Sequence, residues 1–134
     1  MDINEIIKRE VEVKEGFMKH NNFKVEELKP NYARISVEIT DKCLNPSGIA
    51  HGGLIFGLAD SVMGMAAITN GKNAVTVNSQ IDYIKAGKGK KLIAIAEPLK
   101  VGRTISVYEA KIYNEKNDLI ATVKGTYYFK EDMK

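Results

Sequence analysis

The 134-residue chain is 44% hydrophobic and 28% charged, which fits one globular domain over 1–134 and excludes disordered and fibrous classes. Its 20 basic and 17 acidic residues are interspersed, so the net charge of +3 leaves no broad footprint for nucleic acid or membrane. Cys43 is the only cysteine and His20 and His51 the only histidines, which removes an intrachain disulfide and argues against a multi-cysteine or histidine-rich metal centre.

In chain order, Ile3, Ile6, Ile7 and Val11, followed by Phe17 and Met18, have roughly helical spacing, with Asp2 or Asn4 as the N-cap of a modest amphipathic helix. Charges every few residues deny this stretch the apolar core of a secretory signal, and with the lone cysteine the expectation is a reducing, cytoplasmic setting. Phe23 to Leu28 reads as a short strand, and Tyr32 to Thr40 alternates through Ala33, Ile35, Val37 and Ile39 as a half-buried one. The turn formers Asn45-Pro46 and Ser47-Gly48 then mark a loop that ends at His51-Gly52-Gly53.

From Gly53 to Ile68 apolar residues lie on every helical face and Asp60 is the only charged residue, which predicts an enclosed helix ending at Asn70-Gly71. The stretch is shorter than the ~18–20 residues of a membrane span and carries a carboxylate at its middle. Four strands follow, over Ala74–Ile84, Lys91–Lys100, Thr104–Tyr113 and Leu119–Phe129, with turns at Val101-Gly102-Arg103 and Asn114 to Asp118. No helix separates these strands, so parallel crossovers are excluded and the sheet is antiparallel. The expected architecture is α+β, with that sheet wrapped around the one long apolar helix.

Three features carry chemistry. A carboxylate on an apolar helix loses hydration at a cost of at least a few kcal/mol unless a partner compensates, so Asp60 is either a hydrogen-bonded structural post or a catalytic group. Gly52 and Gly53 open the helix, where unpaired N–H groups and the positive end of the dipole suit a developing oxyanion. Lys85, Lys88, Lys90 and Lys91, with Lys100 and Arg103 further on, offer either phosphate contacts or a solvated turn. Gly87-Lys88-Gly89-Lys90 lacks the spacing of a phosphate-binding P-loop.

In this order the motifs resemble the PaaI-type hotdog-fold acyl-CoA thioesterases: Asn45-Pro46-x-Gly48-x-x-His51-Gly52-Gly53, Leu58-Ala59-Asp60, Ala74-Val75-Thr76, Tyr83-Ile84-Lys85 and Gly102-Arg103. The likeness runs from about Tyr32 to Phe129. Two departures stand out: Lys85 is followed by Ala86 where the family often has proline, and Thr76 replaces a common serine. The resemblance implies hydrolysis of a small or medium, even aromatic, acyl-CoA, with Asp60 as general base or nucleophile. It gives catalytic roles to Asn45, His51, Gly52, Asp60 and Thr76, and coenzyme A contacts to Gly53, Lys85, Lys90, Gly102 and Arg103. It further implies a homodimer as the minimum unit, with Asn45, His51 and Gly52 of one subunit facing Asp60 and Thr76 of the other, and a homotetramer as the assembled state. No metal or redox cofactor is expected, coenzyme A being part of the substrate, and neither nucleic acid nor membrane is an expected partner. Two other readings are a hotdog enoyl-CoA hydratase or dehydratase, and a non-catalytic acyl-CoA sensor.

Overall fold

The computed structural model describes residues 1–134, apart from the side chain of Val11. Two short helices, α1 (Ile3–Glu12) and α2 (Phe17–His20), precede the strands β1 (Lys24–Lys29) and β2 (Tyr32–Glu38). A 3-10 turn at Asp41–Cys43 leads to the long helix α3 (Gly52–Ile68), after which come β3 (Lys72–Tyr83), β4 (Lys91–Lys100), β5 (Ile105–Asn114) and β6 (Leu119–Asp132). The expected single N-terminal helix is thus two. The chain leaves α1 at Val13, which is extended with ψ 127, and Gly16 at φ +112 turns it into α2. The cap of α1 is Asp2, in a capping box with Glu5. Of the apolar face expected for α1, Ile6 is fully buried, while the Val11 side chain lies outside the described residues.

The six strands form one antiparallel sheet in the order β1-β2-β4-β5-β6-β3. This is the hotdog arrangement, in which the sheet curls around α3. Ala33, Ala96 and Ala110 pair in register across β2, β4 and β5, all fully buried, and their small side chains let the helix sit close to the sheet. Into that trough α3 projects Ile55, Leu58, Ala59, Val62, Met63, Met65, Ala66 and Ala67. Removing a residue such as Leu58 from water contributes about 1.5–3 kcal/mol.

Two corrections bear on the site. The helix is not enclosed on every face, because Gly53, Gly57, Asp60 and Gly64 are all short of full burial. In addition β3 starts at Lys72 rather than Ala74 and runs as a sheet edge, with Val75 and Val77 exposed at 45% and 59%. The helix stops where expected: Gly71, at φ +75, donates its N–H to the Ile68 carbonyl. Among the described residues no helix is long and apolar enough to cross a membrane.

Candidate active site

Asp60 lies on α3 beside the edge strand. Thr76 of β3 and Tyr127 of β6 are cross-strand partners, so their side chains share a face, and both reach the same carboxylate oxygen. The Thr76 hydroxyl donates to Asp60 Oδ1 at 2.8 Å and the Tyr127 hydroxyl at 2.7 Å. A register shift between Thr76 and Asn78 bends the strand at this point, a common device for aiming a side chain. Tyr127 is only 2% exposed and packs edge-on against Tyr108, with ring centroids 5.9 Å apart. Burial first, then the Asp60 charge and hydrogen bond, push its phenol well above the ordinary tyrosine range, so it remains a donor. Among the described residues nothing donates to Asp60 Oδ2. The carboxylate is therefore held by one oxygen and offers the other.

A second group of residues surrounds the start of α3. His51 is the N-cap, and its Nδ1 accepts the Gly53 N–H at 2.8 Å, which puts the proton of the neutral ring on Nε2. This corrects the expectation that both glycine N–H groups point outward: that of Gly53 caps the helix, while that of Gly52 meets no acceptor among the described residues. The loop before it is tied by Asn45, whose Oδ1 accepts from the Ser47 and Ile49 N–H groups. The His51 N–H reaches the Cys43 carbonyl at 2.7 Å. Tyr83, at the far end of β3, donates its hydroxyl to the Gly52 carbonyl at 2.9 Å. Its ring passes so near that a Cβ on Gly52 would stand 3.2 Å from the hydroxyl oxygen, so a side chain there would push the Tyr83 ring back by a few tenths of an ångström. Asn45, Gly52, Gly53, Tyr83, Lys85 and Gly87 line a shallow groove of about 430 Å³ here.

The two groups are apart within one chain. Eight residues separate Gly52 from Asp60 on α3, a rise of about 12 Å, so a single carbonyl cannot touch both in the same subunit. The basic residues divide in the same way. Lys85 borders the Gly52 groove and pairs with Asp118 at 3.2 Å, while the Lys90 backbone N–H is bound by Glu115 at 2.9 Å. Arg103 lies past the opposite end of β4, about 30 Å from Lys90 at the rise of an extended strand, so the expected single basic cluster is two sites in one chain. Gly102 donates its N–H to Ser106 Oγ at 3.0 Å, and a Cβ there would strike the Ile105 carbonyl, so it shapes the β4–β5 turn.

Tyr127 and Tyr83 are the two contributors that the sequence reading left without a role. Tyr83 stood beside Lys85 in the matching text, but Tyr127 is 67 residues from Asp60, and strand alternation alone gives only the face it occupies.

The family profile described as the thioesterase superfamily matches residues 47–121, more than half of the chain. The chain belongs to the thioesterase superfamily. The match takes in His51, Gly52, Asp60 and Thr76 and leaves Asn45 and Tyr127 outside. Within the superfamily, the chain is 37% identical over 103 residues to an Archaeoglobus fulgidus protein that carries an esterase name, covering 76% of this chain and 67% of that one. It is 30% identical to the acyl-coenzyme A thioesterase PaaI of Escherichia coli over 99 residues, covering 73% and 71%. The solved E. coli PaaI structure superposes with a TM-score of 0.91 over 98% of this chain and 95% of that one, at 23% identity, which establishes the shared hotdog fold. A Streptococcus mutans protein solved with acetyl-CoA superposes with a TM-score of 0.82 at 31% identity, over 92% and 97%.

Proposed function

We propose that the chain hydrolyses the thioester of a small or medium acyl-CoA, releasing the free acid and CoA. The observation that carries this reading is the Asp60 carboxylate, fixed through Oδ1 by Thr76 and Tyr127 and open at Oδ2. As a general base, Asp60 takes a proton from water as the water oxygen attacks the carbonyl carbon. As a nucleophile, it attacks that carbon itself and forms an anhydride that water then opens. In both routes the C–S bond breaks and the thiolate leaves as CoA. The Gly52 N–H, at the positive end of α3, stabilises the oxyanion, a contribution of about 3–4 kcal/mol for one well-placed donor. Carboxylate, water and helix N–H supply every step, so the proposal calls for no metal or redox cofactor.

The 12 Å rise between Gly52 and Asp60 supports a site shared between two copies, with Asn45, His51 and Gly52 from one and Asp60 and Thr76 from the other. The open edge of β3, with its exposed valines, suits pairing across a twofold axis. Such pairing would bring the Arg103 end of one chain nearer the Lys85 end of its partner. Two such dimers make the proposed homotetramer, working as a one-domain cytoplasmic enzyme on its small-molecule substrate. The direct test is thiol release from a panel of acetyl-, hexanoyl- and phenylacetyl-CoA. Cleavage of at least one is expected; a folded protein that cleaves none overturns the proposal, and hydration of crotonyl-CoA in its place would favour the hydratase reading.

Two variants refine it. Tyr127→Phe keeps the ring packing and removes one donor to Asp60, so kcat is expected to fall roughly tenfold with KM within about twofold. Unchanged kcat in steady-state assays would reduce the hydroxyl to a packing role. Replacing Lys85 and Arg103 by Ala is expected to raise KM several-fold more than it lowers kcat, and added salt should mimic the change because exposed charges are screened over about 10 Å. Equal affinity of parent and variant for free CoA, measured calorimetrically, would remove these side chains from the coenzyme site.

A further inference from the structure

Gly53, Gly57, Asp60 and Gly64 fall within about 60° of one another around α3 and form one incompletely covered stripe. With glycine at three of the four positions, the only side chain the stripe itself carries is the Asp60 carboxylate, between Gly57 and Gly64. Side chains from outside the helix reach each glycine: His51 lies over Gly53, Tyr127 comes within 4.0 Å of a Cβ built on Gly64, and Phe17 covers Gly57. A Cβ built on Gly57 would stand 2.9 Å from Cζ and 3.1 Å from Cε2 of Phe17, so the Phe17 ring rests where any larger residue at 57 would be. Gly57 is three residues before Asp60, a rise of about 4.5 Å.

Phe17 is held but not hidden. The residue is 58% exposed, which is unusual for so large an apolar side chain with a core close by. Its position is nevertheless well defined. The Phe17 carbonyl accepts from Asn21 Nδ2 at 2.8 Å, and the Phe23 N–H closes α2 on the Met18 carbonyl at 2.9 Å. Met18 packs against the core, and the Phe23 ring meets Phe17 edge-on with centroids 5.6 Å apart. A fixed aromatic surface is thus offered to whatever lies along the stripe.

We infer that Phe17 is a specificity-determining wall of the acyl site, closing the glycine stripe one turn from Asp60 and limiting the length of hydrocarbon that fits. This inference rests on the reading of Asp60 as the group beside the thioester. An acyl chain whose carbonyl sits at Asp60 finds a floor without side chains toward Gly57, and there it meets the ring. The substrates selected are compact acyl groups.

The test uses non-hydrolysable CoA thioethers, so binding is measured without turnover. Affinities of S-hexyl- and S-dodecyl-CoA are compared in the parent, Phe17→Ala and Phe17→Trp, with thermal unfolding as a check on folding. Opening the wall in Phe17→Ala should improve the dodecyl-to-hexyl affinity ratio about tenfold, the effect of burying roughly two further methylenes. Phe17→Trp should move the ratio the other way, an opposition that loss of stability does not produce. The chain contains no tryptophan, so the indole of Phe17→Trp is the sole emitter of its kind. Its emission should shift with S-hexyl-CoA and remain unchanged with free CoA. A ratio indifferent to residue 17, or emission that responds equally to free CoA, overturns the inference. Thioester cleavage is assayed separately: cleavage with indifference to residue 17 ends this inference alone, and dependence on residue 17 without cleavage ends the hydrolase reading alone.

Discussion

Asp60→Asn is expected to yield a folded protein whose thioester turnover is lower by at least about 100-fold, the usual scale for a positioned acid–base group. The amide has nearly the same shape as the carboxylate, and its oxygen can accept from Thr76 and Tyr127 as Oδ1 does now. Folding and ligand affinity are therefore preserved. The amide neither takes a proton from water nor attacks a carbonyl carbon, so both chemical routes fail together. Steady-state thiol release and thermal unfolding on the same sample decide the matter. A folded variant with near-parental turnover on a substrate the parent cleaves well would show that Asp60 is only a hydrogen-bonded post between α3 and the sheet.

The second large effect concerns assembly. His51→Ala removes the cap on the Gly53 N–H beside Gly52, and Asp60→Asn removes the carboxylate, so each variant alone should be inactive. If the two halves of the site come from different copies, unfolding the variants together and refolding an equal mixture makes about half of the dimers mixed, each with one intact and one doubly damaged site. Activity should return to roughly a quarter of the parental level, since about one site in four is whole. No recovery, with subunit exchange shown by tagged chains, would place the catalytic residues within one chain. Loss of the His51 cap costs about 0.5–2 kcal/mol, so folding of that variant is checked first.

Much of the fold was legible because local pattern and tertiary role agree. Ala33, Ile35 and Val37 alternate in sequence and face α3 in space, and the apolar run ending at Ile68 is the buried helix. The break from Val13 to Gly16 was hidden as a conformation, because the helical spacing of Phe17 and Met18 continued across it. Asp60 and the helix entry at Gly52 were readable as chemistry, a carboxylate among apolar neighbours and N–H groups at a helix start. Their partners were not. Tyr127 reaches Asp60 only through the register that sets it opposite Thr76, and register comes from the whole sheet. The basic residues show the converse: nearness in strand order suggested one cluster, but ten extended residues of β4 hold Lys90 and Arg103 far apart.

The strand order has a consequence for how the chain matures. Gly52, Gly53, Gly57 and Gly64 each cost α3 up to about 1 kcal/mol of helix propensity relative to alanine, so the helix depends on its wrapping to exist. That wrapping closes late: β3, which flanks Asp60, pairs with β6, and more than fifty residues separate Ile68 from the end of β6 at Asp132. At about 5–20 residues per second, a ribosome takes several seconds to supply them. Throughout that interval the most apolar segment of the nascent chain lacks its cover, and a trough built from such distant strands assembles slowly even once complete. The same glycines that leave room beside Asp60 therefore leave this segment without a stable helix of its own until β6 has been made.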